Sequence, residues 1–333
     1  MRLPVWKKLV FTTVVAAAAL LLCEGGLVLS GFYYSPFSLE TKGGVGDWRL
    51  QHVYEDPRFV YDPVLIWRPR PNRSVFNSQG FRGPELAPHK ADDEFRIFVL
   101  GDSNTIGHLG DKSDKQHGAN WPQYLPEHLH VPGKRIVVVN AGVWGYTSFQ
   151  GVGRLQQVLP YQPDLVLVCF GANDAHRVIV PDAEFNAAVF RGPLFRTRTG
   201  QLIKAAWDKA LRRTREADDS EFGFRVSVDE YRENLNTMIR MCREHGVLCV
   251  LVTRPFVEDE PCEASWWRAS APEYVKATLE VGRSAGVLAI DVNHHFENQL
   301  PLFVDESHFS EEGHKAAAEF IGKKLDEYLR QRP

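Results

Sequence analysis

The stretch that decides the fold runs Phe95-Arg96-Ile97-Phe98-Val99-Leu100-Gly101-Asp102-Ser103-Asn104-Thr105. An apolar run rich in β-formers stops at a glycine, and a serine follows two residues later. The run reads as a buried strand. Gly101 allows the tight exit that a Cβ-bearing residue resists. Ser103 then stands at the C-terminal edge of a parallel sheet, where open α/β folds bind ligands. A serine hydroxyl is a weak nucleophile until a base takes its proton. The remaining sequence is therefore read for a base, a group that orients it, and donors for an oxyanion.

Three places supply them. Asp305-Glu306-Ser307-His308 sets a carboxylate and an imidazole three residues apart, just ahead of a helix. The spacing brings both to one side of a turn and leaves open whether Asp305 reaches the ring nitrogen of His308. Gly142-Val143-Trp144-Gly145 follows a second apolar strand and offers backbone N–H groups in a glycine-containing turn. Gly171-Ala172-Asn173-Asp174 follows a third strand and offers a side-chain amide. Strand ends and a C-terminal acid–base pair together make a candidate site.

These residues resemble the SGNH (GDSL-type) hydrolases. Gly101-Asp102-Ser103 matches the first block of that family and Asn140-Ala141-Gly142-Val143-Trp144-Gly145-Tyr146-Thr147-Ser148 the second. Gly171-Ala172-Asn173-Asp174 matches the third, and Asp305 to His308 the last. The blocks stand in family order across residues 95–330. Tyr61-Asp62-Pro63, Trp67-Arg68-Pro69 and Asn77-Ser78-Gln79-Gly80-Phe81-Arg82-Gly83 are similar to the lead-in of membrane-anchored bacterial members. No Gly-x-Ser-x-Gly elbow occurs, which argues against the ordinary α/β-hydrolases.

The resemblance implies an ester hydrolase, with Ser103 as nucleophile, His308 as base and Asp305 as its orienter. It implies an oxyanion hole from the N–H groups of Ser103 and Gly145 and the amide of Asn173, with no metal or organic cofactor. Candidate substrates are esters, among them acylated envelope carbohydrate. An O-acyltransferase of envelope polysaccharide and a lipase- or lysophospholipase-like esterase are the alternatives. Acyltransferases of that kind usually carry the Asp-x-His pair ahead of the serine, whereas Asp305 and His308 lie behind it, which favours hydrolysis. Trp144, Tyr146 and His176 are candidates for binding substrate. Asp102 and Asp174 read as braces of their loops, and His294, His295 and His314 as surface residues.

The chain has 333 residues, 44% hydrophobic and 24% charged, enough for one large domain with appendages. A net charge of −3 gives no reason to expect nucleic acid. Five cysteines at irregular spacing make no disulfide framework, although a Cys242–Cys262 bridge stays open. Arg2, Lys7 and Lys8 precede an uncharged run over residues 9–23, and apolar sequence resumes after Glu24. Residues 9–29 reach the length a membrane span needs, about 20. The basic flank predicts a single-pass anchor with its N-terminus inside, and the resemblance implies a bacterial inner membrane with the catalytic domain periplasmic or extracellular. Cleavage as a signal peptide, leaving a secreted protein, is the alternative.

Residues 1–34 are thus expected as membrane anchor or signal segment, 35–94 as linker and extended arm, and 95–333 as the hydrolase domain. Gly43-Gly44-Val45-Gly46 reads as a joint. Loop histidines His108 and His117 lack a carboxylate or cysteine at ligand spacing and read as solvated. Strands are predicted at 95–101, 135–140, 164–170, 247–253 and 287–291, alternating with helices capped by Thr147, Ser227 and Ser310. Five such strands imply a parallel sheet covered on both faces, a three-layer α/β/α sandwich. The resemblance adds flavodoxin-like order, 2-1-3-4-5. An insertion at 175–226 interrupts this rhythm. It carries Leu202, Ile203, Ala206 and Trp207 at helical spacing, opposite Lys204, Lys209, Arg212 and Arg213. Packing of that stripe on the domain is expected, or else a cap over the site whose basic face meets anionic lipid headgroups or an acidic polysaccharide.

Overall fold

A computed structural model describes residues 4–34, 48–87, 89–107, 118–189, 192, 196–210, 222–257 and 270–332. The joint expected at 43–46, His108, His117, Arg212, Arg213 and Cys262 lie outside them.

The chain begins with α1 (Val5–Leu29), an apolar helix of 25 residues, none of them buried. It is long and apolar enough to cross a membrane. Next come a short helix, α2 (Trp48–Tyr54), and an antiparallel hairpin of β1 (Phe59–Asp62) and β2 (Ile66–Pro69). The Asp62 carboxylate accepts from the N–H groups of Val64 and Leu65 and so closes the hairpin turn. The sequence suggests an extended arm lying on the main domain and packed by its aromatics; the structure folds it into this hairpin and buries Leu50, Phe59, Leu65, Ile66 and Trp67 in the main core. Strands of four residues broken by prolines are too short to show a period.

The central sheet is built from β3 (Glu94–Gly101), β4 (Arg135–Asn140), β5 (Leu165–Cys169), β8 (Leu248–Val252) and β9 (Ala289–Ile290). All neighbours are parallel, in the order β4-β3-β5-β8-β9. Counted along the chain this is 2-1-3-4-5. Successive residues of β3 point to opposite faces. Phe98 and Leu100 meet one cluster, formed with α5 (Ser148–Val158), α8 (Val228–Glu244) and α9 (Ala271–Ala285). Ile97 and Val99 meet the other, formed with α4 (Trp121–Tyr124), α10 (Val292–Phe296) and α11 (Glu311–Arg330). The sheet is therefore the middle of three layers.

Capping fixes the helix starts. Thr147 and Ser227 each form a reciprocal capping box, with Gln150 and Glu230, and Ser310 accepts from the Gly313 N–H. His314 departs from expectation: it is buried in α11 and meets the Phe309 ring edge-on at 5.7 Å. It lies one turn after the cap, on the face that α11 turns to the sheet. Cys242 is a free, buried thiol hydrogen-bonded to the free thiol of Cys249, and its suggested partner Cys262 is not among the described residues.

The insertion contributes a two-strand ribbon of β6 (Arg177–Val178) and β7 (Gly223–Phe224), with α6 (Asp182–Val189) and α7 (Arg198–Ala210) between them. Helix α7 does not bury its apolar stripe on the domain. It lies against α1, with Leu202, Ile203 and Trp207 exposed at 40, 53 and 62%.

Candidate active site

Strand β3 delivers Ser103 through a turn that only glycine fits. A Cβ on Gly101 would stand 2.1 Å from Thr105 Oγ1 and 2.8 Å from the Cys169 carbonyl oxygen. Asp102 caps the one-turn helix α3 (Ser103–Ile106) by accepting from the Asn104 N–H at 2.9 Å. Ser103 thereby opens a helical turn at the C-terminal edge of the sheet.

Its Oγ lies 2.7 Å from His308 Nε2. On the far side of the ring, His308 Nδ1 is 2.9 and 2.8 Å from the two oxygens of Asp305. A carboxylate only accepts, so the Nδ1 proton lies toward Asp305 and Nε2 presents its lone pair to Ser103. Asp305 Oδ1 also accepts from the backbone N–H groups of Ser307 and His308, at 2.9 and 2.8 Å. Against the opposing pull of burial, the bonds from His308 and the imidazole's charge hold its carboxyl well below the usual carboxylate range. The open question of the sequence, whether Asp305 reaches the ring, is answered by this turn.

Gly145 has φ 77, the left-handed region that glycine occupies without strain. The Asn173 amide donates to the Tyr146 carbonyl at 3.0 Å and makes a longer contact, 3.5 Å, with Asp102 Oδ2. The second and third strand ends are thus tied to each other and to the residue before Ser103. Asp174 is fully buried and accepts from Ser148 N and Oγ at 2.9 and 2.5 Å and from the Gly171 N–H at 3.1 Å. Desolvation pushes its carboxyl up to about 7, against the pull of the Ser148 bonds.

Residues 99–316 match the family model of the GDSL-like lipases and acylhydrolases. The chain belongs to this family. An arylesterase of Vibrio mimicus is 37% identical over 87 residues, 26% of this chain and 41% of the arylesterase. The match therefore spans less than half of that relative's length. Among solved structures, an α/β-hydrolase from the metagenome of Lake Arreo is 22% identical with a TM-score of 0.45, over 69% of this chain and 95% of that one. An acetylxylan esterase of Geobacillus stearothermophilus, solved as a catalytic mutant, is 18% identical with a TM-score of 0.46, over 69% and 93%.

In this GDSL-like chain the candidate binding residues divide. Trp144 and Tyr146 are buried and turned away from Ser103, into the upstream hairpin. Trp144 meets Phe59 and Phe76 edge-on at 6.3 and 5.7 Å. Tyr146 meets Trp67 at 5.6 Å and donates its hydroxyl to the Trp67 carbonyl. These contacts are those of core packing: the hairpin completes the core that these rings need. His176 follows the Asn173 turn and is half-buried. Burial and the charge of Arg225 bring its imidazole down to about 3, so it is neutral at ordinary pH. A cleft of about 580 Å³, lined by Phe256, Val275 and Asn293 among others, includes none of Ser103, Asp305 and His308.

Two arginines escape the sequence analysis. Arg225 Nη1 donates to the Gly145 carbonyl at 2.8 Å, and its Nε and Nη2 grip Asp182 at 3.0 and 2.7 Å. Arg49 bonds the same carboxylate at 2.8 Å, as does Thr147 Oγ1 at 2.9 Å. Upstream arm, insertion and second block thus meet on one buried aspartate. Arg254, just beyond β8, does the same for the Ser103 and His308 turns. The available signal is an arginine set among apolar residues, in Phe224-Arg225-Val226 and after Val252-Thr253.

Proposed function

We propose that this chain hydrolyses carboxylic esters through an acyl-enzyme on Ser103. The observation that carries the reading is the continuous relay from Asp305 through His308 to the Ser103 hydroxyl, 2.8 and 2.7 Å per link. His308 Nε2 takes the Ser103 proton as Oγ attacks the ester carbonyl. Asp305 holds the tautomer and stabilises the imidazolium. The N–H groups of Ser103 and Gly145 receive the oxyanion, joined by the Asn173 N–H that makes only the long contact with Asp102. Each such donor typically lowers the barrier by about 3 kcal/mol. His308 then protonates the leaving alcohol, and water resolves the acyl-enzyme by the same route.

The finer reading is a deacetylase of cell-envelope carbohydrate, with α1 as the tether that keeps the domain outside the inner membrane. A short acyl group is supported by the burial of Trp144 and Tyr146, which leaves no aromatic surface on that loop for a long chain. The test is intact-mass analysis after a fluorophosphonate probe, followed by turnover on acetyl, butyryl and long-chain esters. One adduct per chain, absent in Ser103→Ala, is expected, with turnover of that variant down on the order of 10⁶-fold. Unchanged turnover in folded Ser103→Ala protein overturns the hydrolase reading. Preference for long-chain esters overturns the deacetylase.

A further inference from the structure

Helix α7 is built inside out. The residues it turns toward the protein are polar: Arg198, Gln201 and Lys204. Arg198 lies over the Tyr54 ring at 3.9 Å, Gln201 Nε2 donates to the Tyr54 hydroxyl, and Gln201 Oε1 accepts from the Tyr34 N–H at 3.1 Å. Lys204 sits over the Tyr34 ring at 5.4 Å. The residues it turns outward are Leu202, Ile203, Ala206, Trp207 and Ala210, all exposed. In water this arrangement wastes the apolar stripe, since surface helices bury that face. It is favourable where the outside is itself apolar.

The other half of the observation lies in α1. Glu24 interrupts the apolar run, and its carboxylate is spent on α7. Oε1 accepts from the Arg198 N–H at 2.8 Å, and Oε2 from the N–H and hydroxyl of Thr199, both at 2.8 Å. These N–H groups begin α7, where a helix lacks internal acceptors and favours negative charge. At 1.5 Å per residue, Glu24 stands about 28 Å along the axis from Val5, close to the thickness of a hydrocarbon core. The N-terminus of α7 is thereby pinned at the level where the span would leave the bilayer, beside the exposed Leu20, Leu21 and Leu22.

We infer that α7 is a second membrane contact: it lies in the outer interface of the bilayer that α1 crosses, with Leu202, Ile203 and Trp207 among the acyl chains. The occupant is lipid because α7 packs on the apolar helix α1 and is pinned to it at Glu24, beside exposed Leu20, Leu21 and Leu22. Exposed Trp207 suits the headgroup boundary, and exposed Lys209 at the rim suits anionic phosphate. The domain is then held at two points rather than swinging on a linker, with the active-site edge at a fixed attitude to the membrane. The inference rests on α1 being retained, and none of its readouts depends on ester hydrolysis.

The test uses the full chain in vesicles of phosphatidylethanolamine and phosphatidylglycerol, in a Cys23→Ser, Cys262→Ser background. An environment-sensitive fluorophore is attached at Ile203→Cys and, as control, at Asp229→Cys, whose native side chain is 94% exposed. Spin-labelled lipid should quench the first label about twofold or more and leave the second unchanged. Adding Glu24→Ala should reduce quenching at 203. Equal, low quenching at both sites overturns the inference. So does a label at 203 shielded from aqueous iodide yet untouched by the lipid quencher, which marks a protein partner or second copy. Mature protein whose N-terminus begins after Glu24 overturns it as well.

Discussion

Arg254 places its Nε 3.0 and 2.9 Å from the two oxygens of Asp102 and donates through Nη1 to the carbonyl of Ser307. One guanidinium thus joins the residue before Ser103 to the residue before His308. Both side chains are buried. The Phe309 N–H adds a second link, to Asn104 Oδ1 at 3.2 Å. The Ser103–His308 distance is set by these braces as much as by the two residues themselves.

Removing the guanidinium leaves a buried carboxylate without its cation. Arg254→Ala is expected to destabilise the fold by about 3–5 kcal/mol, and Arg254→Lys to recover only part of this. A lysine cannot serve Asp102 and the Ser307 carbonyl with one planar fork. Denaturant unfolding of both variants checks the stability; lysine equal to wild type contradicts the bridging role.

Arg225 makes the parallel prediction at the oxyanion side. Its loss frees the Gly145 carbonyl and leaves Asp182 with Arg49 and the Thr147 hydroxyl. Arg225→Ala should lose about 3–5 kcal/mol of stability. Where it still folds, it should lower kcat while leaving the fluorophosphonate adduct on Ser103 intact. An unchanged kcat would show that Gly145 is held without Arg225.

Asp305→Asn preserves the carbonyl oxygen that accepts from Ser307 and His308 but turns an N–H toward the ring. The imidazole must then carry its proton on Nε2, the wrong side for Ser103. A fall in kcat of about 10⁴-fold is expected with little change in fold. Steady-state kinetics on a chromogenic acetate decides it, and a loss below tenfold would remove Asp305 from the relay.

Asp174 and Asp305 give opposite pH dependences. Asp174 is raised, to about 7, so between the unfolded value near 4 and 7 the folded state holds the extra proton. Its contribution to stability therefore falls as pH rises through that window, by up to about 4 kcal/mol. Asp305 is lowered, so its contribution is present above pH 4 and is lost as pH falls toward its folded value. Urea midpoints of wild type and Asp174→Asn from pH 4 to 8 separate them. The variant should lack the decline between 4 and 7, and identical slopes would refute the shift.

Legibility followed locality. The sheet could be read because each strand is a short apolar run ended by a glycine, an asparagine or a capped helix. The site could be read because Ser103, Gly145, Asn173, Asp305 and His308 all follow or precede such elements. Arg225 and Arg254 were hidden because their partners, Gly145 and Asp102, are far along the chain, and no periodicity encodes a distant hydrogen bond. The hairpin at 59–69 was hidden by brevity. Helix α7 is legible as a helix but its partner is not, since a stripe such as Leu202, Ile203 and Trp207 states only that something apolar must cover it.

The residues that meet at Ser103 and His308 are separated by 205 positions. During synthesis the serine, its turn and the Asn173 loop emerge early, and α11 with the Asp305–His308 turn emerges last. Until that final piece docks, the hydroxyl has no base. A growing chain therefore holds Ser103 without His308 beside it, and the relay is complete only once the C-terminal segment has docked.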